Sequence, residues 1–209
     1  MEIFLFDSLS RTKREFQPIN KKNIKIYACG PTVYNFAHIG NARMAVVCDL
    51  LVRVLKTKFS KVTFVSNITD IDDKIINAAN SQKKSIEEIT EYFYKIYNQD
   101  MNGIGVNNPD IQPKATEHIN DMIEMIKKLI LNGCAYEVER HVLFNVKKYK
   151  YYGNLSRRSD EEQIAGNRVE VLSFKKNPQD FVLWKPSSSN DPGWESPWGI
   201  GRPGWHIEC

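Results

Sequence analysis

Between Ile24 and Ile68 the hydrophobic period of the chain changes from two to about 3.6 and back again. Ile24-Lys25-Ile26-Tyr27-Ala28 alternates apolar with polar and runs into Cys29-Gly30-Pro31-Thr32, a strand handing over to a turn. From Asn41 to Lys56 the positions Met44, Val47, Cys48, Leu51 and Leu55 recur at helical spacing. Val62-Thr63-Phe64-Val65-Ser66-Asn67-Ile68 follows as a second strand, rich in β-branched residues. Strand, loop, helix and strand in this order make a βαβ unit, which implies parallel strands joined by a right-handed crossover. The expected fold class is therefore α/β.

Downstream, Asp70, Asp72 and Asp73 gather at an expected helix N-terminus, where the macrodipole favours negative charge. Ser85 with Glu88 predicts a capping box and a helix reaching about Gln99. Gly103, Gly105, Pro109 and Pro113 read as breaks, and a further helix is expected from Thr116 to Leu131, closed by Asn132-Gly133. Beyond Cys134 the texture changes. Residues 135–138 and 142–146 read as a hairpin around Glu139-Arg140-His141, 149–168 as polar and irregular, 181–185 as a strand and 186–203 as a loop. These shifts divide the chain into 1–115, an insertion of different character at 116–196, and 197–209.

Composition excludes several classes. Of 209 residues, 42% are hydrophobic and 26% charged, which suits a globular chain and not a disordered or collagenous one. The formal charge of +4 permits an anionic partner without demanding one. No stretch approaches the roughly 20 apolar residues of a membrane span, and Met1 to Asp7 lacks the basic lead of a signal peptide. The cysteines Cys29, Cys48, Cys134 and Cys209 form no C-x-x-C pair, so a reducing cytoplasm is the expected compartment.

The chemistry concentrates in residues 31–41. Open parallel sheets take ligands at the carboxyl ends of their strands, and helix N-termini attract phosphate. His38 stands just ahead of such a terminus, and Gly40 lets backbone approach a ligand closely. A histidine here can equally be a helix cap. Asp70, Asp72 and Asp73 fit capping as well as magnesium, and Cys29 and Cys209, by spacing alone, fit two buried thiols.

Five segments in order narrow this further: Cys29-Gly30-Pro31-Thr32-Val33-Tyr34, His38-Ile39-Gly40-Asn41, Asn67 to Lys74, Asn177 to Lys185, and Gly201 to Cys209. Together they resemble the cysteinyl-tRNA synthetases, a family of class I aminoacyl-tRNA synthetases, over the whole of 1–209. The resemblance implies a Rossmann-like parallel-sheet catalytic domain interrupted by an inserted α+β connective domain. It implies ATP-dependent activation of L-cysteine to cysteinyl-adenylate and transfer to tRNA(Cys), in the cytoplasm, by a monomer, with ATP entering as its magnesium complex.

Residue by residue, Cys29 and Cys209 match two of the family's zinc ligands; a histidine and a glutamate further along the family's chain complete that set. Gly30, Thr32, Gly40, Asn67, Thr69 and Trp205 match positions of the amino-acid or adenylate pocket, and His38 and Asn41 match the class I signature. That signature ends here in asparagine, where many class I enzymes carry a second histidine. The implied zinc has a physical rationale. A pocket separates near-isosteres such as cysteine and serine by only about 10²-fold, whereas zinc binds thiolate far better than hydroxyl. A cysteine ligase of the mycothiol pathway resembles the same family, and a non-catalytic fragment binding RNA or a protein partner is the alternative of a different class.

Overall fold

The computed structural model describes residues 2–157, 174–189 and 191–207. Its strands are β1 (Phe4–Asp7), β2 (Thr12–Glu15), β3 (Ile24–Ala28), β4 (Val62–Ser66), β5 (Ala135–Val138), β6 (His141–Phe144), β7 (Phe181–Pro186) and β8 (Gly201–Pro203). Its α-helices are α1 (Ile39–Lys56), α2 (Asp73–Gln82), α3 (Ile86–Gly103) and α4 (Ile119–Leu131). Two compact units result: one is Gln17–His118, the other joins Glu2–Phe16 to the chain from Ile119 onward. No helix among the described residues is long and apolar enough to cross a membrane.

In the first unit β3 and β4 pair in parallel, Ile24 opposite Val62 through Ala28 opposite Ser66, with α1 as the connection. This is the arrangement expected from the changes of period. A third segment, 110–115, runs beside β4: Ser66 N–H donates to Ile111 O at 3.1 Å and Ile68 N–H to Pro113 O at 2.8 Å. Pro109 and Pro113 hide this segment from propensity, because proline reads as a break although its carbonyl still accepts.

The helix expected from Thr116 starts instead as a 3-10 turn at Ala115–His118, and α4 follows at Ile119. The cause is local: the buried Asp70 carboxylate takes the Thr116 N–H at 3.0 Å and its hydroxyl at 2.6 Å. The Ser85–Glu88 capping box opens α3 as expected, and the helix continues to Gly103. On α1 the core face carries Val52 and Leu55, while Val47, expected on that face, is exposed along with Val46 and Leu50. Asp49, also buried on α1, is held by Arg53 at 2.7 Å and Asn107 at 3.2 Å.

The second unit has a four-stranded antiparallel sheet, order β5-β6-β7-β8, with α4 leading into it, and the antiparallel hairpin β1-β2. Neither the hairpin nor β8 was legible, since β1-β2 is short and mostly solvent-facing and Gly201-Arg202-Pro203 has no β-branched residue. Trp184 and Trp198 are buried here, their ring centroids 6.0 Å apart.

The centre of this unit is charged. Asp180 is fully buried and accepts from the Tyr136 hydroxyl at 2.8 Å, Val146 N–H at 3.0 Å and Asn177 N–H at 3.1 Å. Burial first, then the adjoining carboxylate, pushes the Tyr136 phenol up to about 12, so it stays a donor to Asp180. Replacing Asp180 by alanine leaves several buried donors unpaired. Urea unfolding should show a loss of about 3–5 kcal/mol; a loss below about 1 kcal/mol would contradict this account.

Candidate functional site

The site is built where β3 and β4 end. Cys29 and Gly30 follow β3, and Gly30 N–H donates to Asn67 Oδ1 at 2.9 Å. A Cβ on Gly30 would lie 1.7 Å from the Asn67 carbonyl oxygen, so only glycine fits. The parallel ladder continues past both strands: Thr69 N–H donates to Pro31 O at 3.1 Å, Val33 N–H donates to Thr69 O at 3.2 Å, and Thr32 stands opposite Thr69. Cys29, Gly30, Thr32, Asn67 and Thr69 are thus brought together. Asn67 is 4% exposed, and its Nδ2 has no acceptor among the described residues. A buried amide nitrogen left in this state suits a ligand's oxygen. The Cys29 thiol is exposed, not buried as an ordinary structural cysteine would be.

From Pro31 the chain crosses to α1 through a loop pinned by Val33, which is buried among Ile68, Ile75, Ala79, Ile89 and Phe93. Phe36 packs edge-on against Phe93 at 5.4 Å. The loop delivers His38 as the N-cap of α1. His38 Nδ1 accepts the Gly40 N–H at 3.0 Å, and Asn41 Oδ1 accepts the His38 N–H at 3.1 Å. This reciprocal cap consumes one acceptor from each side chain. An Nδ1 that accepts carries no proton, so the neutral ring holds its proton on Nε2 as a donor; Asn41 likewise keeps its amide N–H groups. A Cβ on Gly40 would come 2.7 Å from His38 Cε1, which explains glycine at that position.

These residues border a cavity of about 350 Å³, lined among others by Thr32, Tyr34, His38, Asn41, Lys74 of α2 and Tyr97 of α3. Lys74 and Tyr97 were not singled out from sequence. Lys74 closes the segment Asn67 to Lys74, but nothing in the spacing of Tyr97 points to a site. Burial holds the Tyr97 phenol above its ordinary range, the nearby Cys48 adding to the effect, so its proton stays on.

The acidic cluster turns out to be structural in two of its members. Asp72 caps α2 by accepting the Lys74 N–H at 2.8 Å, and Asp70 holds Thr116. Ser81 and Gln82 end α2, and Lys83 to Ser85 connect it to α3, with Lys83 in the left-handed region at φ 53°. Cys48 and Cys134 are half-buried and donate to Met44 Sδ and Asn132 O, as suits structural thiols. Trp205 belongs to the second unit, is 64% exposed and meets the His206 ring at 5.0 Å. Cys209 lies outside the described residues. Among the described residues no group of three or more histidine, cysteine or acidic side chains could hold a metal.

Residues 15–209 match the family model for the catalytic domain of class I (C) tRNA synthetases. The chain belongs to this class I synthetase family. A cysteine–tRNA ligase of Maricaulis maris is 53% identical over 207 residues, covering 98% of this chain and 45% of that protein. One from Parvibaculum lavamentivorans is 54% identical over 209 residues, covering 100% of this chain and 45% of that protein. The chain thus spans a little under half the length of these curated relatives. A solved Campylobacter jejuni structure assigned as an arginyl tRNA synthetase superposes with TM-score 0.54 at 12% identity, covering 92% of this chain and 44% of that one, a likeness of fold alone.

In this class I domain the two ring nitrogens of His38 can be separated by experiment. Asparagine at 38 keeps a capping acceptor, so thermal stability should stay within a few tenths of a kcal/mol; alanine should cost about 1 kcal/mol. Calorimetry on both variants checks this, and equal losses would show that the cap is not what holds the start of α1.

Proposed function

We propose that the protein carrying this chain is a cysteine–tRNA ligase that activates L-cysteine with ATP and passes it to tRNA(Cys). One observation carries the reading: the reciprocal cap of α1, in a chain more than 50% identical throughout to proteins of that name, leaves two donors at the cavity. In this reading His38 Nε2–H and Asn41 Nδ2–H bind ATP phosphate oxygens and stabilise charge that develops at the α-phosphorus as the cysteine carboxylate attacks. Asn67, Gly30, Thr32 and Thr69 hold the amino acid and the adenylate, the unpaired Asn67 Nδ2 supplying a donor already buried for the purpose. Trp205 is assigned in the same reading to amino-acid or adenylate binding, and Gly40 keeps the His38 ring in place.

The zinc belongs to this reading too. Cys29 and Cys209 would each give a thiolate, and the bound metal would discriminate cysteine from serine by its preference for sulfur. We further read residues 116–196 as the connective domain inserted into a Rossmann-like catalytic domain made of 1–115 and 197–209. That reading is supported by the division of the chain after His118. The same reading makes the enzyme a cytoplasmic monomer that takes ATP as its magnesium complex.

Cysteine-dependent exchange of pyrophosphate into ATP by the full-length protein, followed by charging of tRNA(Cys), tests the activity. Exchange without tRNA charging would point to a cysteine ligase with another acceptor. Replacing His38 by alanine or asparagine should slow activation by about 10²–10³-fold with cysteine affinity little changed. Cys29→Ser should remove bound zinc and discrimination against serine together, read by metal analysis and by exchange with each amino acid. Zinc retained at full stoichiometry would overturn the Cys29 assignment.

A further inference from the structure

The donors at the cavity are both uncharged: His38 is the neutral Nε2–H tautomer and Asn41 is an amide. The remaining lining residues are neutral as well, with one exception, Lys74. Its main chain is fixed at the start of α2 by the Asp72 carboxylate, and its ammonium sits over the Tyr34 ring, 5.4 Å from the centroid. No carboxylate pairs with that ammonium among the described residues. Asp72 is occupied with the Lys74 backbone N–H and Asp70 with Thr116. Lys114, by contrast, is paired with Glu91. A lysine held on an aromatic face beside a cavity, with no anion to neutralise it, is in the state of a cation awaiting one.

We propose that Lys74 is the cationic phosphate contact of this cavity, binding the polyphosphate of ATP beside His38 and Asn41 and supplying the positive charge that those two lack. The inference rests on the activity proposed above and deepens it. A triphosphate is favoured over the carboxylate of cysteine because Lys74 shares the cavity with His38 and Asn41, whereas Cys29, Gly30 and Asn67 do not line it. Asn41 stands where many members of the class have a second histidine, and Lys74 offers charge to the same ligand from a different helix.

The test is pyrophosphate exchange by the full-length protein with wild type, Lys74→Met, Lys74→Gln and Lys74→Arg, varying MgATP and cysteine separately. Lys74 is exposed, so thermal unfolding of all four should agree within a few degrees. Methionine and glutamine should each raise KM for MgATP roughly 10- to 100-fold, the equivalent of one charge-assisted hydrogen bond. KM for cysteine should stay within about twofold, and arginine should restore most of the loss. Unchanged MgATP parameters would overturn the assignment, and so would a defect confined to cysteine, which would place Lys74 on the amino-acid carboxylate. A wild type that exchanges no pyrophosphate with cysteine present would remove the proposed activity and this contact with it.

Discussion

The parallel pairing of β3 with β4 does not stop where the strands do, and the rest of the site depends on its continuation. Past Ala28 and Ser66 the two chains stay joined by Gly30 on Asn67 and by Pro31, Val33 and Thr69. These bonds fix where the connecting loop leaves the sheet. Val33, buried between α2 and α3, then fixes where the loop goes. By the time the chain reaches His38 it has little freedom left, so α1 begins at a defined point and its first turn faces a defined space.

Two buried polar side chains, one in each unit, are treated in opposite ways. Asp180 has its oxygens filled by a phenol and backbone amides, and such a fully satisfied network rigidifies the antiparallel sheet around it. Asn67 is almost as deeply buried, yet one end of its amide is bonded and the other is not. A stable fold tolerates few groups of the second kind, because each carries a desolvation cost with no return from the protein itself. This one lies beside the exposed Cys29 thiol.

Much of the fold was legible because periodicity and capping chemistry are local. The βαβ unit, the Ser85–Glu88 box and the β5-β6 hairpin all follow from residues a few positions apart. What escaped was decided by distant partners. Residues 110–115 pair with β4 despite two prolines, and Asp70 unwinds the expected helix start at Thr116 from 46 positions away. Val47 fits the helical stripe of α1 yet faces out, since spacing defines a stripe and tertiary packing chooses which part of it is covered. His38 shows a subtler limit. Capping and phosphate donation look like rival readings in sequence, whereas an imidazole has two nitrogens, and Nδ1 takes the first role while Nε2 remains for the second.

The close approach at Gly30 has an entropic side. With 1.7 Å between a would-be Cβ and the Asn67 carbonyl oxygen, the two backbones are in contact, and Cys29 is anchored between that contact and the β3 ladder. Its thiol is solvent-exposed, but the main chain that carries it is already immobile. Engaging that sulfur therefore freezes about one side-chain torsion instead of ordering a loop. A ligand taken by this thiol would meet a backbone whose conformational cost was already met during folding.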